Sequence, residues 1–212
     1  MKCDFEHFEA DSDDPRQHDL VRAKKLCARF VEEFVDPATG KHRERGLLLV
    51  GPCGVGKTHL VVAVLLQLIR DYRVRAKFRD FTSLCYEIQA TFDSSSQLSK
   101  HDVVEPIMNA DVLVLDELGA QKPSPWAQDV LYLILNHRYN HRLPTLFTTN
   151  YSLSAAPREA GDLDRPAVRA PRESLSARIP AALISRLFEM TQVVRLEAVD
   201  FRQEVRSHAN RL

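Results

Sequence analysis

The apolar positions of this 212-residue chain change their spacing repeatedly, and each change marks an element. Between Asp19 and Val35, residues Leu20, Val21, Leu26, Phe30, Val31 and Phe34 recur at helical spacing. Pro37 to Arg45 is a turn-rich connector, and Gly46–Val50 is an unbroken apolar run of the kind a covered strand needs. His59–Arg70 predicts a helix, Val74–Asp80 alternates as a half-buried strand, and Thr82–Phe92 predicts another helix. A Ser-rich loop (Asp93–Ser99) and a short helix (Asp102–Asn109) lead into a second apolar strand, Val112–Leu115. A long helix runs from Pro125 to Arg142 with Trp126, Val130, Leu133, Ile134 and His137 on one stripe, and Thr145–Thr149 predicts a third buried strand. Ser152–Ile179 carries Pro157, Pro166, Pro171 and many charges and reads as a long insert that forms little core. A helix over Ala181–Met190 and a strand over Gln192–Leu196 complete the pattern.

Strands separated by helices predict an α/β domain with a parallel sheet covered on both faces. The first 18 residues are polar and acidic, broken at Asp11-Ser12-Asp13-Asp14-Pro15, and predict an extended lead-in. With the first helix they form a unit over residues 1–45, ahead of a core over 46–212.

Chemistry enters at Gly51–Thr58, GPCGVGKT, which fills every fixed position of the pattern G-x-x-x-x-G-K-[ST] between a predicted strand and a predicted helix. Glycines 51, 54 and 56 let the backbone turn its N–H groups inward, making a concave anion nest backed by a helix N-terminus. Gly51, Pro52, Cys53, Gly54, Val55, Gly56, Lys57, Thr58 and the adjoining His59 are therefore the candidate nucleotide-binding set. Lys57 reaches for β- and γ-phosphates, and the Thr58 hydroxyl for magnesium. The run VLVLDEL at Val112–Leu118 delivers Asp116 and Glu117 to the carboxyl end of a strand, where open α/β sheets bind ligands. Asp116 suits magnesium orientation, and Glu117 suits a general base that polarises water. A carboxylate beside the metal-orienting aspartate favours hydrolysis over transfer to a small-molecule acceptor. Asn150, closing TLFTTN, reaches the same edge and suits contact with the γ-phosphate or the attacking water. Arg186, in ALISRLFEM, suits insertion into a neighbour's site to neutralise charge on the transferring phosphate. Arg178 competes for that role.

Bulk composition adds constraints. Lys plus Arg equals Asp plus Glu at 29 each, so no global basic field advertises nucleic acid. Arg70, Arg73, Arg75, Lys77, Arg79, Lys100 and His101 form a local basic surface that suits either DNA contact or simple solvation. The four cysteines (Cys3, Cys27, Cys53, Cys85) form no C-x-x-C pair and point to a reducing compartment. The longest apolar run, Leu60–Leu66, is too short to span a bilayer, and no secretory pattern opens the sequence. A cytoplasmic location follows. His137 and His141 stand four apart, but Arg138 replaces the glutamate a metalloprotease helix needs. Trp126 and Tyr132 read as helix packing. Cys53, inside the phosphate loop, makes nucleotide binding sensitive to thiol alkylation.

These pieces in this order resemble an AAA+ ATPase, and more narrowly the DnaC helicase-loader and IstB transposition-helper group. GLLLVGPCGVGKTHL from Gly46, VLVLDELGA from Val112, RYNHRLPTLFTTNY from Arg138 and ISRLFEM from Ile184 carry the resemblance, together with CDFEHF from Cys3. It spans about residues 3–203. The resemblance implies a three-layer P-loop NTPase fold with a five-stranded parallel sheet, ATP and Mg2+ as ligands, and an arginine finger acting in trans within a homo-oligomer. On matching positions Lys57 and Thr58 are Walker A, Asp116 and Glu117 Walker B, Asn150 sensor 1 and Arg186 the finger. It further implies a replicative helicase or a transposase as client, with single-stranded DNA possible beside it. Relative to that group the sequence is expected to lack the amino-terminal partner-binding region and the helical lid. Two rival readings stand beside this one: a nucleotide-gated interaction module with little turnover, and a small-molecule kinase.

Overall fold

The computed structural model describes residues 3–91, 100–153 and 173–198. Among these residues five strands form one sheet: β1 (Gly46–Val50), β2 (Ala76–Asp80), β3 (Val112–Asp116), β4 (Thr145–Thr149) and β5 (Thr191–Arg195). Their order is β2-β3-β4-β1-β5 and every neighbouring pair is parallel. The three inner strands are buried along their whole length, as the apolar runs of β1 and β3 require, and β4 buries threonines beside Leu146 and Phe147. β2, at one edge, keeps Lys77 and Arg79 and is only partly covered, which discourages pairing with another sheet.

Among the described residues six α-helices flank the sheet: α1 (His18–Glu32), α2 (Lys57–Tyr72), α3 (Phe81–Ala90), α4 (Lys100–Met108), α5 (Pro125–Asn140) and α6 (Ala181–Met190). Alternation along each strand sorts the core into two layers. Leu47 and Leu49 pack with Phe30, Leu60 and Val64 from α1 and α2, and with Phe34 just after α1. Leu48 and Val50 pack with Leu84, Ile107, Ile134 and Leu187 from the other helices. Crossover handedness explains the division. The β1–α2–β2 connection runs one way along the sheet and the later connections run back, so right-handed crossovers place α2 on the opposite face from α3–α6. The strand order thus reverses around β1, and the loops leaving β1 and β4 diverge there to form a crevice.

Three expectations shift. The lead-in is not merely extended: Asp4 caps a turn through the His7 amide, Phe8 is buried among α1 and α2 residues, and a short 3-10 turn (Pro15–Gln17) precedes α1. The buried stripe of α5 is Ala127, Val130, Leu131, Ile134, Leu135 and Arg138, leaving Leu133 exposed. Lastly, Ser152–Ile179 does contribute core, because Leu175 and Ile179 are buried against α6 and β3 neighbours. Its two ends are tied by a parallel bridge between Ser152 and Ser174. The predicted Ser-rich loop, the middle of the insert (154–172) and the expected absence of a lid (199–212) lie outside the described residues.

Arg138 is the unexpected core residue. It is fully buried and donates to Thr145 Oγ1 and to the carbonyls of Ile107, Met108, Ala110 and Pro144. Burial pushes its guanidinium down to about 9, so it stays charged at neutral pH, where the C-terminal carbonyls of α4 favour a cation. It ties α4, α5 and the start of β4 together.

Candidate functional site

The loop between β1 and α2 is shaped by glycines. Gly56 has φ +90°, and a Cβ there would lie 2.5 Å from the Phe8 ring, so neither backbone nor neighbour admits a side chain. Gly51 meets the end of β5, with its hypothetical Cβ 2.3 Å from the Leu196 carbonyl oxygen. α3 and α5 start with side-chain caps, from Asp80 and Ser124, whereas the sixteen-residue α2 starts at Gly56 with none. An uncapped helix start presents N–H donors and the positive end of the macrodipole, a setting that suits phosphate.

Around that helix start the structure gathers the predicted groups. Lys57 is buried and donates from Nζ to the Pro52 carbonyl at 2.6 Å and to Asn150 Oδ1 at 2.7 Å. The Thr58 hydroxyl lies 3.1 Å from both carboxylate oxygens of Asp116. Asp116 is itself buried at the end of β3. Residues from three strand ends thus meet within hydrogen-bond reach: one cation, one carboxylate, one hydroxyl and one amide. The donor set fits a magnesium triphosphate. Lys57 and the uncapped helix start would face phosphate charge, and Thr58 with Asp116 would supply hard oxygen ligands.

Glu117 follows in the left-handed region at φ +56°, uncommon for a side chain of this kind. That turn reverses the chain beyond β3 and leaves the Glu117 side chain exposed next to buried Asp116. Two β4 threonines hold the turn. The Thr148 hydroxyl accepts from the Glu117 amide at 2.9 Å and donates to Asp116 Oδ1 at 2.5 Å. The Thr149 hydroxyl donates to the Leu118 carbonyl at 2.8 Å. Sequence reasoning missed Thr148. Its signal was present: the two threonines that close a buried strand need partners, and the neighbouring strand end carries carboxylates.

The remaining predicted residues divide. Pro52 and Val55 are buried and structural, while Cys53 sits exposed on the loop. His59 turns toward the lead-in, with Nε2 2.8 Å from the Asp4 carbonyl oxygen and its ring edge-on to Phe8. Arg186 is not brought to the cluster; it lies on α6 against Tyr132, Asn136 and Tyr139 of α5. Arg178 pairs with Glu173 at 2.8 Å and covers the Tyr151 ring. Tyr132 is 44% exposed instead of packed, and Trp126 lines a cleft of about 430 Å3 between α3 and the start of α5 that contains no phosphate-loop residue. In the local basic surface Arg70, Arg75, Arg79 and His101 all face carboxylates, of Asp71, Asp111, Glu87 and Glu105. His137 and His141 stack at 4.0 Å, and among the described residues no cluster of three metal-binding side chains exists. Nor is any described helix long and apolar enough to cross a membrane.

Comparison with known proteins agrees with this geometry. The family model for IstB-like ATP-binding proteins matches residues 13–164. The replicative helicase loader DnaI of Bacillus subtilis is 25% identical over 188 residues, covering 86% of this chain and 56% of DnaI. An ATP-binding protein of insertion sequence IS5376 from Geobacillus stearothermophilus is 29% identical over 143 residues, covering 67% of this chain and 52% of that protein. The chain therefore spans about half the length of the curated relatives it matches. A crystal structure of the DnaC helicase loader superposes with a TM-score of 0.69 at 28% identity, covering 92% of this chain and 96% of the other. The three-layer fold is that of the AAA+ P-loop proteins.

Proposed function

Because the chain belongs to the family of IstB-like ATP-binding proteins, we propose that it is a magnesium-dependent ATPase of the helicase-loader type, working as a homo-oligomer on a DNA-bound client. The observation that carries this reading is the convergence of Lys57, Thr58, Asp116 and Asn150 at an uncapped helix start. Lys57 and the α2 N-terminus bind the β- and γ-phosphates. Thr58 and Asp116 are the residues that would hold Mg2+, which offsets charge building on the phosphates. Glu117 takes a proton from the attacking water as its oxygen bonds to the γ-phosphorus and the bond to the β-bridging oxygen breaks, releasing ADP. Asn150 senses the γ-phosphate or aligns that water. Arg186 reaches the site of a neighbouring copy. In its favour over Arg178, no described carboxylate pairs with Arg186, whereas Glu173 already neutralises Arg178.

Two clients are supported by relatives. DnaI and DnaC suggest a replicative helicase, and the insertion-sequence relative suggests a transposase. Co-purification with each client class, with ATP or ADP, separates them. The activity itself is tested by magnesium-dependent ATPase measurements across a protein concentration series, with and without single-stranded DNA. Specific activity that climbs with concentration or with DNA supports a site shared between copies. ATP binding with flat, negligible turnover under every condition would replace the ATPase with a nucleotide-gated interaction module.

A further inference from the structure

An arginine that acts on a neighbour's phosphate faces two physical problems. Its long side chain has about 2 kcal/mol of rotamer freedom to lose, and any carboxylate that orders it also cancels the charge it must deliver. The surroundings of Arg186 solve both. Tyr132, Asn136 and Tyr139 stand at i, i+4 and i+7 on α5, so they share one face of that helix. The Arg186 guanidinium carbon lies 5.4 Å from the Tyr132 ring centroid and 5.0 Å from that of Tyr139. Its Nη1 donates to Asn136 Oδ1. Every one of these contacts is neutral, and among the described residues no carboxylate forms an ion pair with Arg186. Ring faces and an amide oxygen order a guanidinium by quadrupole and dipole and leave its net charge uncancelled. The rings are 44% and 41% exposed, so the cradle lies open at the surface, where a second protein can reach it.

We propose that Tyr132, Asn136 and Tyr139 are positioning residues that hold Arg186 ordered and fully charged for the triphosphate bound by a second copy of this chain. This rests on the in-trans reading above and goes beyond it by assigning a job to three residues outside the nucleotide site.

The test mixes copies. Glu117→Gln copies keep a working Arg186 cradle and lack a working site; Arg186→Ala copies have the converse defect. Mixed together they should regain turnover that neither shows alone. The Tyr132→Leu/Tyr139→Leu double variant should lose about a hundredfold in turnover, as expected for a group displaced by roughly 1 Å, with ATP affinity unchanged. It should recover when mixed with Glu117→Gln copies, because its own site is sound. Glu117→Gln/Tyr132→Leu/Tyr139→Leu copies should fail to rescue Arg186→Ala copies. The Tyr132→Phe/Tyr139→Phe variant should keep its activity, since the ring faces remain. Asn136→Asp binds the guanidinium more strongly yet should lower turnover, because it cancels the charge. The cradle is overturned if the leucine pair retains full turnover, or if the triple variant rescues Arg186→Ala as well as Glu117→Gln does. Failure of the first mixture to recover would instead remove the in-trans reading, and this inference with it.

Discussion

Lys57 Nζ and Asn150 Oδ1 stand 2.7 Å apart, joined across 93 positions of sequence by the adjacency of β1 and β4. The contact gives Asn150 a defined orientation beside the Lys57 ammonium, where the proposed function puts phosphate. Replacing Asn150 by Asp puts a second negative charge there. It should weaken ATP binding relative to ADP by about tenfold, or ~1.4 kcal/mol, because the γ-phosphate suffers most. Competitive titration with a fluorescent nucleotide measures both constants. Equal weakening of the two would show that Asn150 does not face the γ-phosphate.

The Thr148 hydroxyl serves both acidic residues at once, donating to the Asp116 carboxylate and accepting from the Glu117 backbone amide. Thr148→Val keeps the shape and removes the hydroxyl, leaving Asp116 short of a donor and the Glu117 amide short of an acceptor. A loss of about 1.5–3 kcal/mol in stability is expected, as for hydrogen bonds to charged groups. Thr148→Ser should stay near the wild type in urea unfolding. A valine variant as stable and active as the parent would remove Thr148 from the site.

Glu117 occupies a backbone conformation that glycine adopts without strain. Glu117→Gly should therefore relieve about 1 kcal/mol and raise the melting temperature by roughly 2–4 °C, while abolishing hydrolysis. Glu117→Gln should abolish hydrolysis with no thermal gain. Calorimetry beside an ATPase assay separates backbone strain from side-chain chemistry.

Arg138 satisfies one hydroxyl and four carbonyls in the core. Arg138→Met fills similar volume but strands those acceptors, and should cost about 3 kcal/mol or more. Chemical denaturation checks this, and unchanged stability would mean water takes over the acceptors.

The thiols should react in a fixed order. Cys53 is exposed, whereas burial pushes the Cys27 thiol up to about 12, and burial with the nearby Asp80 charge pushes Cys85 to about 11. A raised thiol carries less of the reactive thiolate at any pH below it, so iodoacetamide at pH 8 should modify Cys53 well before the other two. Peptide mass spectrometry over time gives the order. ATP with magnesium should slow modification of Cys53 without changing Cys27 or Cys85.

Much of this protein was legible in one dimension because its chemistry is local. Loop shape, helix start and Lys57-Thr58 are specified within eight consecutive residues, and Asp116-Glu117 follow directly from the strand that carries them. Unbroken apolar runs, Leu47–Val50 and Val112–Leu115, identified two of the inner strands, since a strand covered on both faces can be apolar throughout. Other features depended on which elements become neighbours, and that is a property of the packed sheet. Arg138 reads as surface charge until the carbonyls of α4 and Pro144 surround it. Leu175 and Ile179 were obscured by the proline- and charge-rich stretch before them. Thr148 had no visible partner until β3 and β4 aligned in parallel register, and the aromatic cradle of Arg186 exists only because α6 lies along α5. The sequence by itself determined the candidate groups, through short-range backbone geometry and hydropathy. Tertiary structure alone decided what orients them, because long-range contacts depend on the order in which the strands pack.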